Sequence, residues 1–197
     1  MKEDTTDDNT SEVQRASTTF ADFSFQFSAA REFQKVEKKV FSLLCSISDQ
    51  SFEGNKRHGL LVVIGGFDMS KDYIVYGMRQ IGVNPVEKYL NIAISSFSKD
   101  IKSLFSKEYD GAIIVNRNGH IIGAKIYLTV DNPSLEVPGG CGTRHITAAS
   151  FSKRDDVISV LTLSEETNIV RIWKDGSFVE QYSPEDEDNS DNKESGE

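Results

Sequence analysis

Apolar positions along the chain follow two rhythms, one repeating every three to four residues and one every second residue, with glycine, proline and asparagine marking the breaks. Phe33, Val36, Val40, Leu43, Leu44 and Ile47 keep the first rhythm, while Arg31, Lys35, Lys38 and Lys39 fall largely elsewhere. This predicts an amphipathic helix over residues 29–48, within a segment 29–50 that packs one face on the core. Before it, Phe20, Phe23, Phe25 and Phe27 alternate in part, as expected of a short strand or an arm. After it, residues 51–58 read as a polar loop and residues 60–64 as a buried strand stopped by Gly65 and Gly66. Residues 73–76 suggest a short extended piece, and residues 86–94 fit strand or helix equally well.

The second half is more regular. Phe97, Ile101, Leu104 and Phe105 form one face of a helix over residues 96–109. A strand over 112–115, a hairpin turn at Asn116-Arg117-Asn118-Gly119 and a returning strand over 120–128 follow. Residues 131–140, with Pro133, Pro138 and paired glycines, read as a surface loop, and residues 143–151 as a helix. Strands at 157–163, 169–174 and 178–182 are then joined by turns at 164–168 and Asp175-Gly176. The fold class this implies is a mixed β-sheet flanked by helices, an α/β domain of α+β character over residues 51–182.

Charge changes the picture at the two ends. The formal net charge is -9, but residues 1–12 hold five acids and one lysine, and residues 183–197 hold seven acids and one lysine. The tails therefore carry -10 and leave about +1 on the rest. Both ends, 1–28 apart from the phenylalanine arm and 183–197, are expected to be disordered, because too little apolar surface is available to offset the entropy of folding. A nearly neutral domain suits a small anionic substrate and not a broad nucleic-acid footprint. Cys45 and Cys141 have no metal-ligand spacing and read as a buried thiol and an incidental loop thiol of a reducing compartment. With no apolar run longer than Leu60 to Ile64 and no signal pattern, no membrane partner and a cytoplasmic location are expected.

Two short clusters carry the chemistry. Asp110-Gly111-Ala112 sets a carboxylate at the edge of a strand, with a glycine that would let a base or ribose approach the backbone. Gly142-Thr143-Arg144-His145 sets small residues, a hydroxyl, a guanidinium and an imidazole at the start of a helix, where unbonded N–H groups favour phosphate. A carboxylate facing a phosphate cradle suggests a metal-assisted phosphate reaction. Arg144 matches phosphate oxygens with its planar fork, Thr143 offers a hydroxyl, and His145 is able to meet phosphate or metal. The plainer reading makes Asp110-Gly111 an ordinary turn and His145 a structural histidine. Protease patterns and the dinucleotide and Walker loops are absent from the sequence.

These two clusters, with Tyr127-Leu128 between them and Leu163-Ser164-Glu165-Glu166-Thr167 after them, closely resemble the signature of the diadenylate cyclase (DAC) domain. The resemblance runs in order from about Gly59 to Gln181. It implies condensation of two ATP into 3′,5′-linked cyclic di-AMP and two pyrophosphates, with magnesium or manganese as cofactor. It further implies Asp110, Arg144 and His145 as catalytic residues and Asp110, His145 and one of Glu165 or Glu166 as metal ligands. Gly111, Ala112, Tyr127, Leu128, Gly142, Thr143, Ser164 and Glu165 complete the implied substrate site, Tyr127 and Leu128 bordering the adenine. Two copies would face each other about a two-fold axis, within a higher homo-oligomer. One departure stands out: the family usually reads Arg-His-Arg where this chain reads Arg144-His145-Ile146, which removes a cation able to meet phosphate. That loss motivates a second reading, a weakly active or inactive module of the same fold that binds ATP or cyclic di-AMP.

Overall fold

The computed structural model describes residues 20–53, 58–68, 77–86, 90–95, 98–130, 137 and 141–184. Residues Met1–Arg31 form one unit and Glu32–Glu197 another, and the sheet with its packing belongs to the second. Residues 1–19, 73–76, 185–197 and most of the loop expected at 131–140 lie outside the described residues.

Among the described residues, seven strands form one sheet in the order β2-β4-β3-β1-β5-β6-β7. These are β1 (Leu60–Gly65), β2 (Met78–Gln80), β3 (Ala112–Asn116), β4 (Ile121–Leu128), β5 (Val157–Leu163), β6 (Val170–Lys174) and β7 (Ser177–Tyr182). Only β1 and β3 run parallel, and every other neighbouring pair is antiparallel. The sheet is therefore mixed, as the sequence pattern predicts. Continuous apolar runs mark its centre because β1 is buried on both sides: Leu60, Val62 and Ile64 join one core, Leu61 and Val63 the other.

Helices cover both faces. On one lie the part of α1 (Phe20–Glu53) from Glu32 onward, α2 (Ile92–Ser95) and α3 (Lys99–Leu104), contributing Val36, Val40, Leu43, Leu44, Ile92, Ile101 and Leu104. On the other lies α4 (Thr143–Phe151), contributing Ala148, Ala149 and Phe151. Cys45 packs against the first core, and burial pushes its thiol up to about 12, so it stays protonated and inert as expected of a structural cysteine.

Three sequence expectations change. Residues 20–28 are helical, not a strand or arm: Phe20, Phe23 and Phe27 already keep three- and four-residue spacing, and no glycine or proline interrupts the chain before Gly54. The helix expected over 96–109 is short, beginning at Ser98, whose Oγ accepts from Ile101 N at 3.3 Å, and ending at Phe105. Ser103 Oγ donates to Asp100 O at 2.7 Å, a local bond that competes with continued helix, and turns lead on to Asp110. The ambiguous stretch before it resolves, in its described part, into a single bridge from Asn91 to His120 and the one-turn α2.

Candidate active site

A cleft of about 530 Å³ opens at one end of the sheet, on the face that α4 covers. Strand direction explains the location. The first residues of β1 and β3 and the last residues of the antiparallel β4 and β5 share this end, so Leu61, Ala112, Leu128 and Leu163 meet there. All twelve residues singled out from the sequence line the cleft: Asp110, Gly111, Ala112, Tyr127, Leu128, Gly142, Thr143, Arg144, His145, Ser164, Glu165 and Glu166. Thr147, Leu61, Ile81 and Ile126 also line it, without having stood out in the sequence.

Arg144 sits at the centre of the charge arrangement. Its Nη2 lies 3.4 Å from Asp110 Oδ1 and its Nη1 3.5 Å from Glu165 Oε2. Lys107 approaches the other oxygen of Glu165 at 3.9 Å. These contacts are long and partly solvated, so each contributes little stability. Glu165 turns to Arg144, and Glu166 beside it also lines the cleft. Gly142 is the N-cap of α4 and supplies no side-chain cap, so the helix presents its first N–H groups to the cleft beside Thr143. Ser164 Oγ accepts from Thr167 N at 3.3 Å, and Ser48 Oγ donates to Asn168 O at 2.6 Å, which fixes the turn carrying Glu165. Tyr127 stands half-exposed at the rim with the Arg79 guanidinium 5.4 Å from its ring centre, while Leu128 packs inward.

Gly111 lines the cleft and also meets the backbone of β4. Its φ is +110°, and a Cβ there would come within 3.0 Å of Lys125 Cα and C. Lys125 itself has φ 58°, at a register irregularity where β4 bulges opposite Ala112 and Ile114. Gly111→Ala is expected to destabilise the fold by about 1–3 kcal/mol, read from urea unfolding, because both the left-handed conformation and the β4 backbone resist a side chain.

His145 points away from metal duty. Arg171 Nη1 lies 3.3 Å from its Nε2, and since a guanidinium only donates, Nε2 accepts and the neutral ring carries its proton on Nδ1. That Nδ1 is buried with no hydrogen-bond partner among the described residues, and the ring packs 5.8 Å from Trp173. Burial, then the charges of Arg171 and Arg144, hold its pKa below the ordinary imidazole value. Because the unfolded chain takes up this proton at higher pH than the native one, the contribution to stability is complete above 6.5 and is lost as pH falls below it. His145→Gln is expected to flatten that part of the profile, measured as urea midpoints across a pH series for both proteins.

Arg171 was not legible as a site residue. It also reaches Gln181 Oε1 through Nε at 3.3 Å and Cys141 Sγ at 3.9 Å, linking the β6–β7 hairpin to the start of α4. The available sign was its spacing two residues from the buried Trp173, since an arginine on the inner side of a strand requires partners. Ile146, in place of the family's second arginine, is half-buried and lies outside the lining of this chain's cleft.

The residues fit a hard cation only in part. No group of three or more His, Cys, Asp or Glu among the described residues is arranged to enclose a metal. Asp110 and Glu165, two carboxylates flanking one cleft, suit magnesium or manganese in the mode that takes one or two carboxylates and completes its shell with phosphate oxygens and water. His145 does not suit that shell, because its accepting nitrogen is already engaged.

Residues 51–178 match the family described as DAC, DisA bacterial checkpoint controller nucleotide-binding, and the chain belongs to it. It is 30% identical over 153 residues to a diadenylate cyclase of Methanocaldococcus jannaschii, covering 75% of this chain and 45% of that protein. It is 26% identical over 167 residues to a diadenylate cyclase of Haloferax volcanii, covering 81% of this chain and 56% of that protein. The chain thus spans about half the length of these curated relatives. A crystal structure of a double mutant of DacA from Staphylococcus aureus superposes with a TM-score of 0.47 at 24% identity, covering 77% of this chain and 89% of that one. No helix among the described residues is long and apolar enough to cross a membrane.

Proposed function

We propose that this chain is a diadenylate cyclase, joining two ATP into cyclic di-AMP with release of two pyrophosphates. The observation that carries this reading is the convergence of Asp110, Arg144, Glu165 and the uncapped start of α4 on a single cleft. In each of the two steps a ribose 3′-hydroxyl oxygen attacks the α-phosphorus of the other ATP. The new P–O bond forms as the bond to pyrophosphate breaks, and the hydroxyl proton departs. Thr143, the first N–H groups of α4 and Arg144 hold phosphate oxygens in this reading, while Asp110 orients the attacking hydroxyl and eases its proton away. Ser164 holds the turn that presents Glu165, and Tyr127 with Leu128 offers the adenine an aromatic face and an apolar edge. Asp110 and Glu165 would hold magnesium or manganese, which would supply charge neutralisation at the phosphates. His145 acts from behind, as a neutral ring tying α4 to Arg171.

One cleft holds one ATP, and the product needs two, aligned head to tail. Two copies facing each other across a two-fold axis complete the reaction site. Purified protein with ATP and either metal is expected to yield cyclic di-AMP by mass spectrometry, at an initial rate rising faster than linearly with protein concentration. Bound but unconverted ATP with both metals would instead favour the nucleotide-binding module.

A further inference from the structure

We propose that Gly59, which neither the sequence pattern nor the cleft lining marks as a site residue, is a positioning residue for Arg144. A Cβ at Gly59 would overlap Arg144 Nη1 and fall 2.7 Å from Cζ and 3.1 Å from Nε. Three bonded atoms of the guanidinium therefore lie against the bare backbone of residue 59. Gly59 is not among the glycines with positive φ, so its conformation is open to any residue and only the space above it is special. Gly111 differs on both counts, since its φ is +110° and the atoms it meets are backbone.

The seat is rigid because Gly59 leads directly into β1, whose first residue Leu60 is paired with Leu163 of β5. It lies at the same end of the sheet as Asp110 and Glu165. The two carboxylates alone define the guanidinium loosely, at 3.4 and 3.5 Å. Contact with residue 59 supplies the third side, and fixes the plane in which the fork is offered to a phosphate. The Arg144 side chain is 41% exposed, so a methyl group at residue 59 would push the guanidinium outward into solvent and leave β1 where it is.

The proposal rests on the reading above in one respect, that Arg144 grips phosphate. Gly59→Ala is expected to weaken ATP binding about tenfold, the loss of one charge-assisted contact, with an unchanged thermal midpoint. In an Arg144→Ala background the same substitution is expected to change ATP affinity less than about twofold, since there is no guanidinium left to displace. Equal losses in the two backgrounds, or undiminished binding by Gly59→Ala, would overturn the proposal. A crystal structure of Gly59→Ala reads the seat without nucleotide, and is expected to show Arg144 lifted from residue 59. A guanidinium in its original place beside the new methyl would overturn the proposal independently. If wild-type protein fails to bind ATP while the variant crystal shows Arg144 displaced, the seat stands and the cyclase reading fails.

Discussion

Asp110→Asn is expected to lower conversion of ATP by at least ~100-fold while leaving the protein folded. The side chain is 89% exposed, so the substitution neither buries a polar group nor opens a cavity. Its Oδ1 accepts from Gly111 N at 3.0 Å, a bond that the asparagine oxygen preserves. What disappears is charge, and with it the ability to hold a divalent cation or draw a proton from a ribose hydroxyl. Stability should stay within about 0.5 kcal/mol of the parent, as for surface substitutions that leave shape intact. Product quantified by mass spectrometry, beside a thermal melt of the same preparation, checks both halves. Unchanged turnover would remove Asp110 from the chemistry.

Arg144→Ala is expected to weaken binding of ATP and of cyclic di-AMP together, by about tenfold to a hundredfold, because the same phosphate is held before and after reaction. The variant also leaves Asp110 and Glu165 facing the cleft without the cation between them. Their field then opposes an anionic nucleotide, so the deficit should be larger without divalent metal than with it. Calorimetric titration with each ligand, with and without magnesium, separates these contributions. Affinity that survives the substitution would make Arg144 a structural bridge between β3 and the turn after β5.

The sequence by itself determined the periodic elements and named the candidate residues that the cleft brings together. β1, β3, β5 and α4 begin and end within a residue or so of where apolar spacing predicts, because strands buried on both faces and a helix with a glycine N-cap leave local signatures. Asp110, Arg144 and Ser164-Glu165-Glu166 were readable because the types needed for phosphate chemistry stand in short, separated motifs. Where local preferences compete, only the tertiary structure decided whether residues around Asn91 form strand or helix, through the bridge to His120 and the turn of α2. It also decided every directional question. Glu165 turns to Arg144, Gly111 makes room for the backbone of Lys125, and His145 gives its accepting nitrogen to Arg171. The physical reason is common to all of these. A residue's chemistry is local, but its partner, and the space left open for it as at Gly59, are set by segments far away in the chain that the sheet brings to one end.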